Sequence, residues 1–339
     1  MQVMLDERKA AILRAVVEAY IETAQPVGSH HVADAASVTV SSATVRNEMA
    51  VLEQEGYLRQ PHTSAGRIPT DKGYRYFVDH FVETLPRGRL GATQIEQVRA
   101  FFARAHGELE TVLHDTSRLV SDLTKYTALV TSPPPERASV RSVQLVGLAP
   151  RLALVVAVLS NGVVEKRSIE FDDDIGDDRM AAAGAHLASH LVGRPLADSY
   201  QPAVATGDPS TDAVVETTLA SLAREPEADE HIFVGGAARM AAAFEAVETV
   251  HQVLDLLEHQ YVIVTLLHDV LDRGLHVAIG SETGLEPLAD CSVVVAPYIV
   301  EGEHTGTIGV LGPTRMNYPQ ALAAVAVVSK RLGRHLSEG

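Results

Sequence analysis

The apolar residues at the start of the chain recur with the period of amphipathic helices. Over residues 5–24, Leu5, Ala11, Ile12, Ala15, Val16, Ala19 and Tyr20 share one side of a predicted helix, which Pro26 and Gly28 close. Ser29 is placed to cap a second, short helix reaching residue 35. After a turn at 36–40 a third helix is predicted over 42–54. Its Val45, Met49 and Leu52 fall at spacings of four and three, on one buried stripe. Gly56 ends it, a short strand follows at 57–60, a polar turn at 61–66 leads to Arg67 and Ile68, and Thr70 caps a fourth helix over 71–85. The run PRGRLG at 86–91 is rich in helix breakers and predicts a linker closing a first domain over 1–86.

Further on, one long helix is predicted over 93–126, with Ile95, Val98, Phe102, Leu109, Val112, Leu113, Leu119 and Leu123 on its apolar side. Pro133, Pro134 and Pro135 stop the next element. Strands are predicted at 142–148, 152–159 and 163–169, with Asn161 and Gly162 suited to a tight hairpin turn. The acidic run DDDIGDD at 172–178 breaks the sheet pattern, and two helices follow over 179–192 and 211–224. Sheet character returns at His231. A helical stretch over 237–272, strands at 276–280, 292–300 and 305–311, and a helix over 319–336 complete the chain. Six or so antiparallel strands with flanking helices, interrupted by a helical block, predict an α+β domain over 87–169 and 231–339 carrying an insert at 170–230.

The outward side of the third helix points to a function. It carries Ser42, Ala43, Thr44, Arg46, Asn47, Ala50 and Gln54, short side chains around one guanidinium and two amides. Such a face is flat enough to enter the DNA major groove. There Arg pairs with guanine, Asn or Gln with adenine, and Ala touches a thymine methyl. Three helices followed by a strand, a polar turn and a second extended segment predict a winged helix-turn-helix. In the wing His62, Thr63, Ser64 and Arg67 suit phosphate oxygens or the minor groove, contacts that set register more than sequence. His30 and His31 read first as a polar helix start and second as phosphate contacts.

Charge changes this picture. The chain of 339 residues has a formal net charge of −16. Residues 1–86 hold eight Lys or Arg against eleven Asp or Glu, a net of −3 that leaves −13 for the rest. Phosphate attraction is therefore modest, and tight binding calls for two readers in one dimer. The length suits two or three domains, each with its own core. No apolar run long enough to span a membrane and no signal-peptide stretch is present, so the protein is expected in the cytoplasm, away from membranes. One cysteine, Cys291, excludes intramolecular disulfides and cysteine-cage metal sites.

The remaining motifs favour structure over chemistry. His186 and His190 lie four apart in a helix, but no third ligand stands at a suitable spacing, so a solvated helix face is expected and no metal. Gly306, Gly309 and Gly312 do not match a nucleotide loop and predict a strand with close backbone packing. GPTRMNY at 312–318 carries Arg315, read as an anchor of the last helix, with an interface to the first domain or to a partner as the alternative. No catalytic constellation and no cofactor motif occurs.

Two blocks carry a family resemblance: SSATVRNEMAVLE with QPHTSAGRIPTDKGYRYFVD early in the chain, and HVAIGSE, SVVVAPY and GTIGVLGPTRMNYPQ late in it. They resemble the HrcA family of bacterial heat-inducible repressors, with mild departures such as Val45 where isoleucine is common. The match is weakest across the insert. The resemblance implies a GAF-like domain with an inserted dimerisation domain and a homodimer on an inverted-repeat operator of the CIRCE type. It also implies repression of chaperone operons, relieved when a GroEL-type chaperonin is occupied. The alternative left open is a ligand-sensing regulator with a metabolite in the GAF-like domain. The small and apolar residues of the insert helices, Met180, Ala183, Leu187 and Leu191 in one and Val214, Leu219 and Leu222 in the other, are expected to form the dimer contact. Packing against the same chain is the alternative.

Overall fold

A computed structural model describes the protein over residues 5–35, 37–62, 65–82, 90–105, 108–133, 138–160, 163–196, 201–203, 205–223, 231–239, 244, 247–274, 276–300 and 302–338. Thr63 and Ser64, the Asn161–Gly162 turn and most of the PRGRLG run lie outside these residues.

Asp6 accepts a hydrogen bond from the Lys9 amide at 2.9 Å and starts α1 (Glu7–Thr23). It is followed by α2 (Ser29–Ala33) and α3 (Ser42–Gln54). Ser29, expected as the cap of α2, is its first helical residue. Gly28 holds the cap position in extended conformation, without a side-chain bond. α3 has the expected bounds because Ser41 caps it, accepting from the Thr44 amide at 3.3 Å, and because Val45, Met49 and Leu52 are each no more than 1% exposed. Two short antiparallel strands follow, β1 (Leu58–Arg59) and β2 (Ile68–Pro69). Just before β2, Arg67 exchanges two backbone hydrogen bonds of 2.9 Å with Val27, which ties the hairpin to the start of α2. Gly66 permits this approach, since a Cβ there would lie 2.4 Å from the Val27 carbonyl oxygen. Thr70 caps α4 (Asp71–Phe81), accepting from the Gly73 amide at 3.2 Å and donating to the Gly56 carbonyl at 2.7 Å.

The long helix expected over 93–126 is two helices, α5 (Ala92–Phe102) and α6 (Leu109–Thr124), with Glu108 extended at φ −65° and ψ 143°. Between Phe102 and Leu109 the chain has no large apolar side chain to bury, and its glycine is about 1 kcal/mol less favourable in a helix than alanine. There follow β3 (Thr127–Thr131), β4 (Val140–Ala149), β5 (Leu152–Leu159), β6 (Val164–Glu170), α7 (Asp177–Leu191) and α8 (Pro209–Ala223). The chain continues through β7 (Ile232–Gly235), α9 (Val247–Glu258), α10 (Gln260–Asp272), β8 (Val277–Ile279), β9 (Cys291–Val300), β10 (Glu303–Pro313) and α11 (Tyr318–Glu338). The helical stretch expected over 237–272 is interrupted at His259, between α9 and α10.

The strands form two larger sheets, not one. β7, β3, β10, β9 and β8 lie in that order in an antiparallel five-stranded sheet, while β4, β5 and β6 make a three-stranded sheet of their own. The expectation that strands 142–169 pair with the late strands is therefore corrected. Alternation within a strand shows which residues share a face but not which strand lies beside it. The excursion from the main sheet begins after β3, earlier than residue 170, and ends before β7. Its two ends meet: the Ser132 amide donates to the His231 carbonyl at 2.8 Å, and the His231 amide to Ser132 Oγ at 3.0 Å. Within the excursion α7 and α8 bury Ala183, Leu187, Leu191, Val214, Leu219 and Leu222 against Val143, Val155, Ala157 and Leu159 of the small sheet. These helix faces thus find cover in their own chain, the alternative reading, and not on a partner.

The five-stranded sheet is covered on both faces. On one, Val294, Ile308 and Val310 pack with α6 and α11; on the other, Val293 and Val295 pack with α10. β10 runs close to its neighbours, as its glycines predict: a Cβ at Gly306 would lie 2.4 Å from the Tyr298 hydroxyl.

Candidate nucleic-acid interface

The geometry of α3 separates two sides cleanly. Its stripe is closed into the core, whereas Ala43, Arg46, Asn47 and Gln54 are exposed and Ser42, Thr44 and Ala50 half-buried. Arg46 makes no ion pair among the described residues. The carboxylates of α3 and its C-terminal cap are, by contrast, all engaged. Glu48 pairs with Arg8 at 3.6 Å, Glu53 with Arg67 at 2.9 Å and Glu55 with Lys9 at 3.1 Å. Glu55 raises the pKa of Lys9, first through their hydrogen bond. Each pair is partly solvated and adds little to stability. Their electrostatic effect matters more. Three negative charges on α3 and its cap are compensated by cations from α1 and the hairpin, and none of the three pairs with Arg46. The negative sum for residues 1–86 thus gives no measure of the field at this face.

In the hairpin loop His62 is exposed. Its carbonyl accepts from the Ala65 amide at 2.9 Å, and Gln60 Nε2 donates across the loop to the Ala65 carbonyl at 2.9 Å. Thr63 and Ser64 are outside the described residues. Arg67 is held inward: its Nε donates to Glu53 Oε2 at 3.0 Å and only 17% of its side chain is exposed. It braces the hairpin against α3, which the sequence reading did not foresee. Arg59, the exposed residue of β1 next to buried Leu58, was not singled out from the sequence either. Strand alternation alone could have found it. His30 and His31 are both exposed.

Elsewhere the candidates for chemistry are quiet. Among the described residues no group of three or more His, Cys, Asp or Glu could hold a metal ion. Cys291 is buried at the start of β9, and burial pushes its thiol pKa up to about 12, leaving it protonated and unreactive at neutral pH. Among the described residues no helix is long and apolar enough to cross a membrane.

Known proteins bear on these observations. The family profile of the HrcA protein C terminal domain matches residues 110–322. The heat-inducible transcription repressor HrcA of Streptomyces avermitilis is 38% identical over 341 residues, covering 99% of this chain and 100% of that protein. The protein of the same name from Pseudarthrobacter chlorophenolicus is 39% identical, with 98% and 99% covered, and that of Arthrobacter sp. (strain FB24) is 40% identical, with the same coverage. A crystal structure of a protein described only as hypothetical shares the fold along 99% of both chains, with a TM-score of 0.68 at 22% identity.

Proposed function

The chain belongs to the HrcA family of heat-inducible transcription repressors, regulators and not enzymes, and from that membership we propose how it represses. It binds an inverted-repeat operator of the CIRCE type, upstream of chaperone operons, as a homodimer in the cytoplasm. Residues 5–81 act as a winged helix-turn-helix, with α3 in the major groove and the β1–β2 hairpin as the wing. The observation that carries this reading is the division of α3 into a closed apolar stripe and an open face around Arg46 and Asn47, with its carboxylates drawn off by Arg8, Arg67 and Lys9. Fluorescence anisotropy on a CIRCE-type duplex and a scrambled duplex tests it. Arg46→Ala is expected to weaken operator binding by about 1–3 kcal/mol and to lower the preference over scrambled DNA. Unchanged affinity and preference would refute the assignment.

The second copy is assigned to the outward face of the three-stranded sheet. α7 and α8 cover one face only. On the other, Val146 stands beside Leu154 and Val164 beside Val158, while Val156 lies between Gln144 and Lys166, and Val146 and Val164 are 43% and 45% exposed. An apolar strip edged by polar residues favours association in water, and a symmetric partner doubles the DNA contacts of a modestly charged reader.

Regulation by a GroEL-type chaperonin is supported by the topology. β3 pairs with β10 and β7 across the whole excursion, so the main sheet closes late and exposes strand edges meanwhile. Operator-binding activity of refolding chain is expected to rise when chaperonin and nucleotide are added, and full unaided recovery would count against this. The covered faces of the five-stranded sheet favour a structural role for the GAF-like domain over a metabolite site.

A further inference from the structure

The first unit meets the rest of the chain through α4, where a continuous apolar core is flanked by specific polar contacts. Asp71, at the first position of α4, accepts from the Ser281 amide and the Ser281 hydroxyl, both at 3.1 Å. Gly280, at φ +52°, allows the approach: a Cβ there would fall 2.4 Å from the Asp71 carboxylate, so neither its dihedral nor the space suits another residue. One turn further along α4, Arg75 grips the same turn with its planar fork. Its Nε donates to Glu282 Oε1 at 2.9 Å, and its Nη2 donates to the Val277 carbonyl at 2.7 Å and pairs with Glu282 Oε2. Glu282 is itself fixed, accepting from the Ile279 amide at 3.0 Å. Between these two contacts Tyr74, only 2% exposed, lies against Tyr318 of α11 with ring centroids 5.8 Å apart. Its hydroxyl is buried without a hydrogen-bond partner among the described residues.

α4 is also an element on which the first unit is assembled. It packs on α1 and β2, and α1 packs on α3. An orientation imposed on α4 therefore reaches the reading helix through packed side chains, which deform little. We infer that Asp71 and Arg75, seated on the Gly280–Glu282 turn, are positioning residues for DNA recognition: they hold the reader at one angle to the five-stranded sheet and so set the half-site spacing that a dimer accepts. The inference rests on the DNA-binding reading above. Two rigidly held readers fit one spacing, because each added base pair moves a half-site by about 3.4 Å and about a tenth of a turn. Readers freed from the turn accept several spacings and bind the best one less tightly, since less of the second contact is preorganised.

The test uses the full-length chain and inverted-repeat duplexes whose spacer is shortened or lengthened by up to two base pairs. Affinities are read by anisotropy, and a single half-site duplex serves as the reference. The wild type is expected to lose about tenfold or more at two base pairs from its optimum. Arg75→Ala is expected to bind the optimum about tenfold more weakly and to vary less than about threefold across the series, with half-site binding unchanged. Arg75→Lys, which keeps the charge without the fork, falls between the two. Glu282→Gln, milder in its effect on folding, moves the profile in the same direction. Arg75→Ala or Glu282→Gln protein that keeps the wild-type spacing profile overturns the inference. So does loss of half-site and inverted-repeat binding by equal factors, which would make Arg75 a residue of stability alone. Wild type that binds no inverted repeat at any spacing refutes the DNA-binding reading itself, a result distinct from either.

Discussion

The two larger sheets of this molecule are built from similar residues and meet different surroundings. β9 reads CSVVVAPYIV and β5 reads LALVVAVL, near-continuous apolar runs of the kind expected of strands buried on both faces. For β9 that holds: Val293, Val294 and Val295 are each no more than 1% exposed. In β5 only alternate residues are buried, Ala153, Val155, Ala157 and Leu159, and the residues between them stay half-open. The difference teaches that an apolar run reports what a strand needs and not where the cover comes from. In the five-stranded sheet the same chain supplies both layers. In the three-stranded sheet it supplies one, and the other is proposed to come from a second copy.

The largest expected effect comes from removing the second sheet altogether. Because Ser132 and His231 are hydrogen-bonded, residues 133–230 can be replaced by a short turn without parting β3 from β7. Sedimentation is expected to give a folded monomer, with operator affinity lowered by about 10²-fold or more through lost avidity. A dimer that survives the excision would move the interface to the main sheet or α5. Next in size, Ile308→Ala in the covered sheet should cost about 2–5 kcal/mol of folding stability by denaturant titration. Leu154→Asp on the open face should leave the monomer folded and shift the dimer to monomer in sedimentation. If Leu154→Asp unfolded the chain as Ile308→Ala destabilises it, the two sheets would be equally covered and the comparison would fail.

Much of the first unit was legible in the sequence. The Val45–Met49–Leu52 stripe and Gly56 are local signals, and they gave α3 its bounds; Thr70 did the same for the start of α4, whereas the Ser41 cap of α3 was not singled out. The hairpin pairing of β5 with β6 was legible, but the division of the strands into two sheets was not, because β5 and β9 carry similar apolar runs and nothing local in them names a neighbour. Nor was the electrostatic state of the open α3 face. Glu48 and Glu55 find Arg8 and Lys9 on another helix, partners that a segment's summed charge hides. Arg67 was assigned to phosphate from its place in the loop, and its bond to Glu53 shows a second demand on the same side chain.

That bond sets the smallest expected effect. Arg67→Ala, in the unit whose core runs on into the covered sheet, should lower folding stability by no more than about 1 kcal/mol, as a partly exposed ion pair does. It should also weaken operator and scrambled DNA alike. A selective loss on the operator would instead make Arg67 a reader of bases.

Two copies of the open α3 face are proposed to read an inverted repeat together. Hydroxyl-radical footprinting of the wild type and Arg46→Ala on one duplex carrying the repeat tests this most directly. Two symmetric protected patches are expected for the wild type, with half-site centres separated by whole helical turns, and their joint loss in Arg46→Ala at the same protein concentration. A single protected half-site, or a symmetric footprint that Arg46→Ala leaves intact, would contradict it.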